Sequence, residues 1–273
     1  MIKKKYIDSY NRFGFTNLVN KFFSKLGIKF KLRDDIFKKR VYLSKKINEI
    51  CDGKVIDGVY KGTKLVYSSD YFTTKPAYLL GCYEKEVQEE IFKISNERKL
   101  KNFINVGAGE GYHSVGTIKS NLFSTSISFE LDEKNREIIK QNFNLNGISS
   151  SFKIYEKADL NFLNLLNEID LSKSLFLFDI EGDEFNILNE KNLNLLKKSY
   201  LIIEIHHFYS KPNIVETFEK NLTKFYSINK ITTQNRNFTN FKFLNKFNDD
   251  EKWLMMSESR SSTMKWLVCK PLL

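Results

Sequence analysis

Two of the three histidines in this chain, His206 and His207, stand side by side at the end of the apolar run SYLIIEIHH. A second apolar run, SLFLFDIEGDE, ends in Asp179, Glu181, Asp183 and Glu184. An imidazole beside a carboxylate can take an alcohol proton near neutral pH, so Asp179, His206 and His207 form the candidate catalytic set. Asp179 ends the most apolar strand of the chain, which aims it at the ligand edge of a sheet; the acids after it also read as a solvated turn around Gly182. A divalent metal is a competing use of the same residues: Asp179 with His206 and His207, or with Glu204, offers a ligand set, and two imidazoles favour a transition metal over magnesium. His113 reads as a packing residue, and Glu258 with Arg260 as a surface ion pair.

A second constellation lies upstream. NFINVGAGEGYHS (residues 102–114) places Gly107, Gly109 and Gly111 at alternate positions directly after an apolar strand. Bare backbone there lets a ligand approach closely and lets the turn adopt positive φ. The dinucleotide fingerprint G-x-G-x-x-G would put its third glycine at Tyr112, one position later than this chain does, which weakens a pyrophosphate reading. At the end of the next apolar run, SFELD, Glu130 follows the loop by about 20 residues, where an acid can accept both ribose hydroxyl hydrogens of an adenosine.

These residues need elements to hold them. From Lys101 onward, short apolar strands alternate with helical stretches, and after His207 a helix and two further strands suit a sheet that finishes with a hairpin. The pattern predicts an α/β fold with a doubly wound, mostly parallel sheet. Ahead of it, Phe15, Leu18, Val19, Phe22, Phe23 and Leu26 recur at helical spacing opposite Lys21 and Lys25, an amphipathic helix. The segment from Gly53 to Ser69 reads as a short hairpin, and a helix follows Gly81. The expected organisation is a basic N-terminal extension over residues 1–75 and a ligand-binding domain over 76–273.

The formal charge is +11 over 273 residues. Residues 1–46 hold 14 Lys and Arg against three acids, which is the whole excess. The basic field therefore belongs to the N-terminal arm, suited to packing, self-association or a membrane surface, while the remainder lacks the positive surplus that nucleic acid requires. Three scattered cysteines without CxxC spacing read as reduced thiols, and with no secretory signal or membrane-spanning run the expectation is a cytoplasmic protein.

The words NVGAGEGYHSVG, FELDEKN, FDIEGDEFNIL and the upstream YLLGCYEKE, in this order over about residues 78–207, resemble the S-adenosylmethionine-dependent methyltransferases of the Rossmann-like class, and within it the FkbM type. The resemblance implies a seven-stranded sheet and S-adenosylmethionine as cofactor. It places Gly107, Gly109, Gly111 and Tyr112 along the methionine and ribose, Glu130 on the ribose, Asp159 on the adenine amino group and Asp179 near the reacting centre. Asn105 stands where many relatives carry an acid that steadies the loop or the cofactor amine; asparagine can accept the hydrogen bond without the charge. The activity implied is O-methylation of a sugar hydroxyl in glycan or small-molecule biosynthesis, with a lipid-linked saccharide as acceptor if the arm meets a membrane. RNA methylation and a noncatalytic membrane or scaffold module that retains the fold are the alternatives.

Overall fold

The structure, a computed structural model, describes residues 19–20, 22–27, 35–68, 74–206, 212–260 and 262–272. Helices α1 (Asp35–Cys51), α2 (Lys75–Leu79) and α3 (Lys85–Arg98) lead into strand β1 (Asn102–Val106), every residue of which is buried. There follow α4 (Tyr112–Lys119), β2 (Thr125–Phe129), α5 (Glu133–Leu145), β3 (Phe152–Tyr155), β4 (Ser174–Phe178), α6 (Glu184–Ile187), α7 (Glu190–Leu196) and β5 (Tyr200–Glu204). The chain ends with α8 (Pro212–Leu222), β6 (Tyr226–Thr232), α9 (Asp249–Met256) and β7 (Lys265–Pro271).

The seven strands form a sheet in the order β3-β2-β1-β4-β5-β7-β6. Pairing is parallel from β3 to β5 and antiparallel where β7 meets β5 and β6. Successive residues of the central strands serve opposite faces. Ile104, Val106, Phe176, Phe178, Leu201 and Ile203 enter one core, whereas Phe103, Leu175, Leu177, Ile202, Trp266 and Val268 enter the other. Because both faces are covered by helices, these strands read as nearly continuous apolar runs rather than alternating ones.

Register then positions the site. Val106 lies opposite both Phe129 and Phe178, and Phe178 lies opposite Ile203. The residues that follow, Gly107, Glu130, Asp179 and Glu204, therefore emerge level with one another at the carboxyl edge, where β1 is the point at which the strand order reverses.

Three expectations are modified. The segment 53–68 closes through a single antiparallel bridge, Lys54 with Lys64, rather than a ladder, because turns occupy the stretch between them. Between β3 and β4, where the alternation of strands and helices predicts a helix over LNFLNLLNEI, the chain forms only a 3₁₀ turn, Phe162–Leu166. The last two strands pair as an antiparallel couple but are joined by a long excursion, residues 233–264, that carries α9. A capping box between Asn248 and Glu251 starts α9. Its Met255 and Met256 pack with Leu43 and Ile47 of α1 and with residues 77–82, so the N-terminal segment and the excursion share one small core above the carboxyl edge of the sheet. Nearby, fully buried Tyr60 lies on the bare backbone of Gly116 in α4, and its ring meets Tyr112 edge to face. Of the expected N-terminal amphipathic helix, Phe15, Leu18 and Lys21 fall outside the described residues; residues 19–20 and 22–25 are helical, and Phe22 and Leu26 are exposed. Among the described residues, no helix is long and apolar enough to cross a membrane, and all three cysteines are buried and free.

Candidate active site

A cavity of about 560 Å³ opens at the carboxyl edge, floored by residues 105–110 and walled by Glu130, Asp179, Glu204, His206 and Arg260. Its floor is built without side chains for a steric reason. Gly107 has φ +88°, and a Cβ there would stand 1.7 Å from the Asp179 carbonyl oxygen. The amides of Gly107 and Ala108 both donate to the Phe129 carbonyl, which ties the bend to β2. Gly111, at φ +85°, opens α4 against Ile139. The Glu130 carboxylate turns inward across this bend: Oε2 accepts from the Gly109 amide at 2.7 Å and Oε1 from the Asp132 amide at 2.9 Å. Asn105, only 2% exposed, donates through Nδ2 to Ser114 Oγ at 3.1 Å, while its Oδ1 has no hydrogen-bond partner among the described residues. A buried acceptor without a protein partner at a cavity wall is open to a donor from a ligand or an ordered water.

On the opposite wall, His206 is held by carboxylates. Its Nδ1 lies 3.2 Å from Glu184 Oε1, and its Nε2 lies 3.3 Å from Asp179 and 3.5 Å from Glu204. Glu184 is itself wholly buried, accepts from the Gly182 amide at 2.9 Å and takes the His206 amide as well. Burial opposes charge on the imidazole, but the bonds to Asp179 and Glu184 outweigh it and raise His206 to about 10. The surrounding carboxylates thus favour the charged, donating form of His206 over the neutral imidazole expected as a base. Glu204 is pushed up to about 9 by burial and by the Asp179 and Glu84 carboxylates, against the pull of Arg260 and His206. Two sets of ligand atoms, Asp179 with Glu181 and His206, and Asp179 with Glu84 and Glu204, lie within 4.8 Å of one another. Their oxygen and imidazole donors are of the kind that binds divalent ions.

The pair expected at the surface, Glu258 and Arg260, is instead the centre of a buried network. Arg260 donates to Glu204 Oε1 at 2.8 Å, to Glu258 Oε2 at 2.9 Å and to Glu84 Oε1, and its guanidinium lies over the rings of Tyr83 and Trp266. Arg236 bridges Glu258 and Glu86 behind it. The excursion between β6 and β7 folds back over the sheet edge and brings these residues inward, an outcome that local sequence does not encode. Glu84, the N-cap of α3 at φ +44°, joins Arg260 to His113, whose Nε2 lies 2.8 Å from Glu84 Oε2 and whose Nδ1 lies 3.0 Å from the Tyr60 hydroxyl. Burial opposes the charge on Glu84, but Arg260 and His113 prevail and hold its carboxyl down at about 2.

That depressed value fixes a pH dependence. A carboxyl whose folded value lies below its unfolded one stabilises the fold above the ordinary carboxylate range and loses that contribution as pH falls toward about 2. Glu84→Gln is therefore expected to lower the urea midpoint at pH 7, with the difference from the parent shrinking steadily between pH 4.5 and the acid limit; a difference undiminished at pH 2.5 contradicts the assignment.

Of the residues singled out in the sequence, Asn105, Gly107, Gly109, Tyr112, Glu130, Asp179 and His206 line the cavity, as does His113. Gly111 supports the loop from behind. Asp159 is not brought in: it is exposed, and its carboxylate caps a turn by accepting from the Asn161 amide at 2.7 Å, while Glu156, Lys157 and Ala158 face the cavity instead. His207 lies outside the described residues. Sequence reasoning missed Glu84, Tyr67, Tyr78 and Tyr83 as wall residues; the only trace of Tyr78, Tyr83 and Glu84 was the word YLLGCYEKE, and Tyr67 lay in the segment read as a hairpin.

The strand order with its antiparallel β7 is that of a seven-stranded, mostly parallel, Rossmann-like α/β sheet. No protein family model matches the sequence, and a search of curated proteins finds no match. Among solved structures, the chain is similar to the O-methyltransferase TomG of Streptomyces achromogenes, involved in tomaymycin synthesis and solved in complex with SAM, at 10% identity over 92% of this chain and 96% of that one, TM-score 0.47. It is also similar to the tRNA methyltransferase TrmK of B. subtilis, at 11% identity over 66% and 65%, TM-score 0.40. A third is P. horikoshii TYW2 in complex with MeSAdo, at 11% identity over 76% and 64%, TM-score 0.40. At such identities the function rests on the site itself.

Proposed function

We propose that this chain is an S-adenosylmethionine-dependent methyltransferase of FkbM type that methylates a hydroxyl oxygen of a sugar or similar polyhydroxylated small molecule. The observation that carries the reading is the bare-backbone bend at residues 107–111 facing the inward Glu130 carboxylate within one cavity. The residues suit the cofactor. Glu130 would accept the ribose hydroxyls, the unpaired Oδ1 of Asn105 would accept from the amino group, and Lys157 and Ala158 would border the base. When bound, the cofactor supplies a methyl group on a sulfonium that is already an activated leaving group.

The chain's remaining tasks are to position the acceptor, exclude water and take a proton. Asp179 carries the last. One carboxylate oxygen is engaged by His206, and Glu184 fixes the imidazole from its other side, so the orientation of Asp179 is set before an acceptor arrives. With His206 held as a donor, the hydroxyl proton goes to the Asp179 carboxylate. That proton becomes far more acidic as its oxygen gains a methyl group, so a weak base suffices late in the transfer.

Charge favours a small acceptor. Eight acidic side chains line the cavity against Lys157, Arg260 and His206, and the last two are already engaged by those acids. Such a field attracts a cationic cofactor, accepts a neutral sugar and repels a phosphate backbone. The test is transfer from tritiated cofactor into a fractionated cell extract: label is expected in small polyhydroxylated molecules, and label confined to RNA would overturn the acceptor assignment. Repeating the assay with chelator decides whether Asp179, Glu181 and His206 work around a metal ion.

A further inference from the structure

Residues 53–68 precede the sheet and were expected to form part of a separate extension, yet their last turn is sewn to the glycine loop. Val66 exchanges hydrogen bonds with Asn142 of α5, its amide donating to Oδ1 at 2.7 Å and its carbonyl accepting from Nδ2 at 3.1 Å. The same Nδ2 donates to the Glu110 carbonyl at 3.0 Å, and the Ser68 amide donates to Glu110 Oε1 at 2.6 Å. These bonds fix Tyr67 over the loop. Its ring stacks on Tyr78, with centroids 5.2 Å apart and planes 21° apart, and the Lys75 ammonium lies 5.1 Å from the ring centre. Its hydroxyl is buried at the cavity wall and has no hydrogen-bond partner among the described residues.

A tyrosine held this firmly by its ring, with an unused hydroxyl buried in the wall of a cavity it lines, is placed to donate to a ligand seated there. The cations of the cavity are mostly committed or remote from the loop: the guanidinium of Arg260 is shared among Glu84, Glu204 and Glu258, His206 is engaged by Asp179, Glu184 and Glu204, and Lys157 follows β3, which leaves the Tyr67 hydroxyl, with the Lys75 ammonium over its ring, as the donor nearest the loop. We infer that Tyr67 is a cofactor-binding residue whose hydroxyl donates to the carboxylate of the methionine tail, so that residues 53–68 complete the cofactor site. The inference rests on the cavity holding S-adenosylmethionine. Burial pushes the phenol well above its ordinary value, which keeps it a donor throughout the neutral range.

Two ligands separate this role from packing. S-adenosylhomocysteine has the amino-acid tail, whereas 5′-methylthioadenosine has the same nucleoside and thioether without it. Calorimetric titration of the full chain and of Tyr67→Phe with each is expected to show S-adenosylhomocysteine weakened about tenfold by the substitution, the size of a lost hydrogen bond to a charged group, with 5′-methylthioadenosine unchanged. Phenylalanine keeps the ring on Tyr78, and reading both ligands on one variant corrects for any loosening of the site. Equal weakening of both ligands, or unchanged binding of S-adenosylhomocysteine, overturns the role of Tyr67. Failure of the parent protein to bind either ligand overturns the cofactor reading and this inference with it.

Discussion

Replacing Arg260 with methionine is expected to cost the fold about 3–5 kcal/mol, the size found when one partner of a buried ion pair is removed and the other is left without a counter-ion. The magnitude follows from where the guanidinium sits. Glu84 and Glu204 are 2% and 1% exposed, and both depend on the same guanidinium. Methionine fills most of the volume but leaves the Glu84 carboxylate buried without its main counter-ion, beside a Glu204 carboxyl that also loses the pull of Arg260. The remaining partners, His113 for Glu84 and, for Glu204, the Trp266 indole at 3.0 Å and His206 at 3.5 Å, do not replace the guanidinium that bridges the two acids. Urea unfolding at pH 7 measures the loss, and Arg260→Lys, which keeps charge but not the fork, should fall between parent and methionine variant. A methionine variant as stable as the parent would mean that the network is weak.

Gly107→Ala should abolish cofactor binding. The new Cβ would overlap the Asp179 carbonyl oxygen, a backbone atom fixed by the pairing of β1 with β4, and φ +88° is itself strained for alanine. The bend must therefore move, which displaces the Gly109 amide from Glu130 and Asp179 from the cavity together. A misplacement of about 1 Å at such a site costs on the order of a hundredfold, so affinity for S-adenosylhomocysteine should drop at least that far. The effect is read by calorimetry on the fraction that remains folded by circular dichroism; affinity within a few-fold of the parent would show that the bend is not the cradle.

The sheet was legible because its strands bury both faces. Runs such as SLFLF and NFINV carry their own signature, and register then follows from where each run ends, which is why Gly107, Glu130 and Asp179 come level as the sequence implied. Residues placed by tertiary packing were not legible in that way. Arg260 and Glu258 look like a local surface pair, yet the excursion that carries them turns back over β5, and nothing in SESRSS encodes that path. Glu84 is similar: an acid at a helix start is ordinary, and only the meeting of α3, α4 and the excursion makes it a buried hub. His206 was legible from its place at the tip of β5, whereas its engagement by Glu184 was not, because that acid reaches back to it from the start of α6. Asp159 failed in the opposite sense, its carboxylate consumed by the local turn that such residues favour.

The most direct test of the central claim is a crystal structure of the protein with S-adenosylhomocysteine. The nucleoside is expected to lie over residues 107–111 with both ribose hydroxyls on the Glu130 carboxylate and its sulfur facing Asp179. A nucleoside seated elsewhere, or a Glu130 carboxylate that keeps only its backbone amides while the ribose contacts other groups, would contradict it.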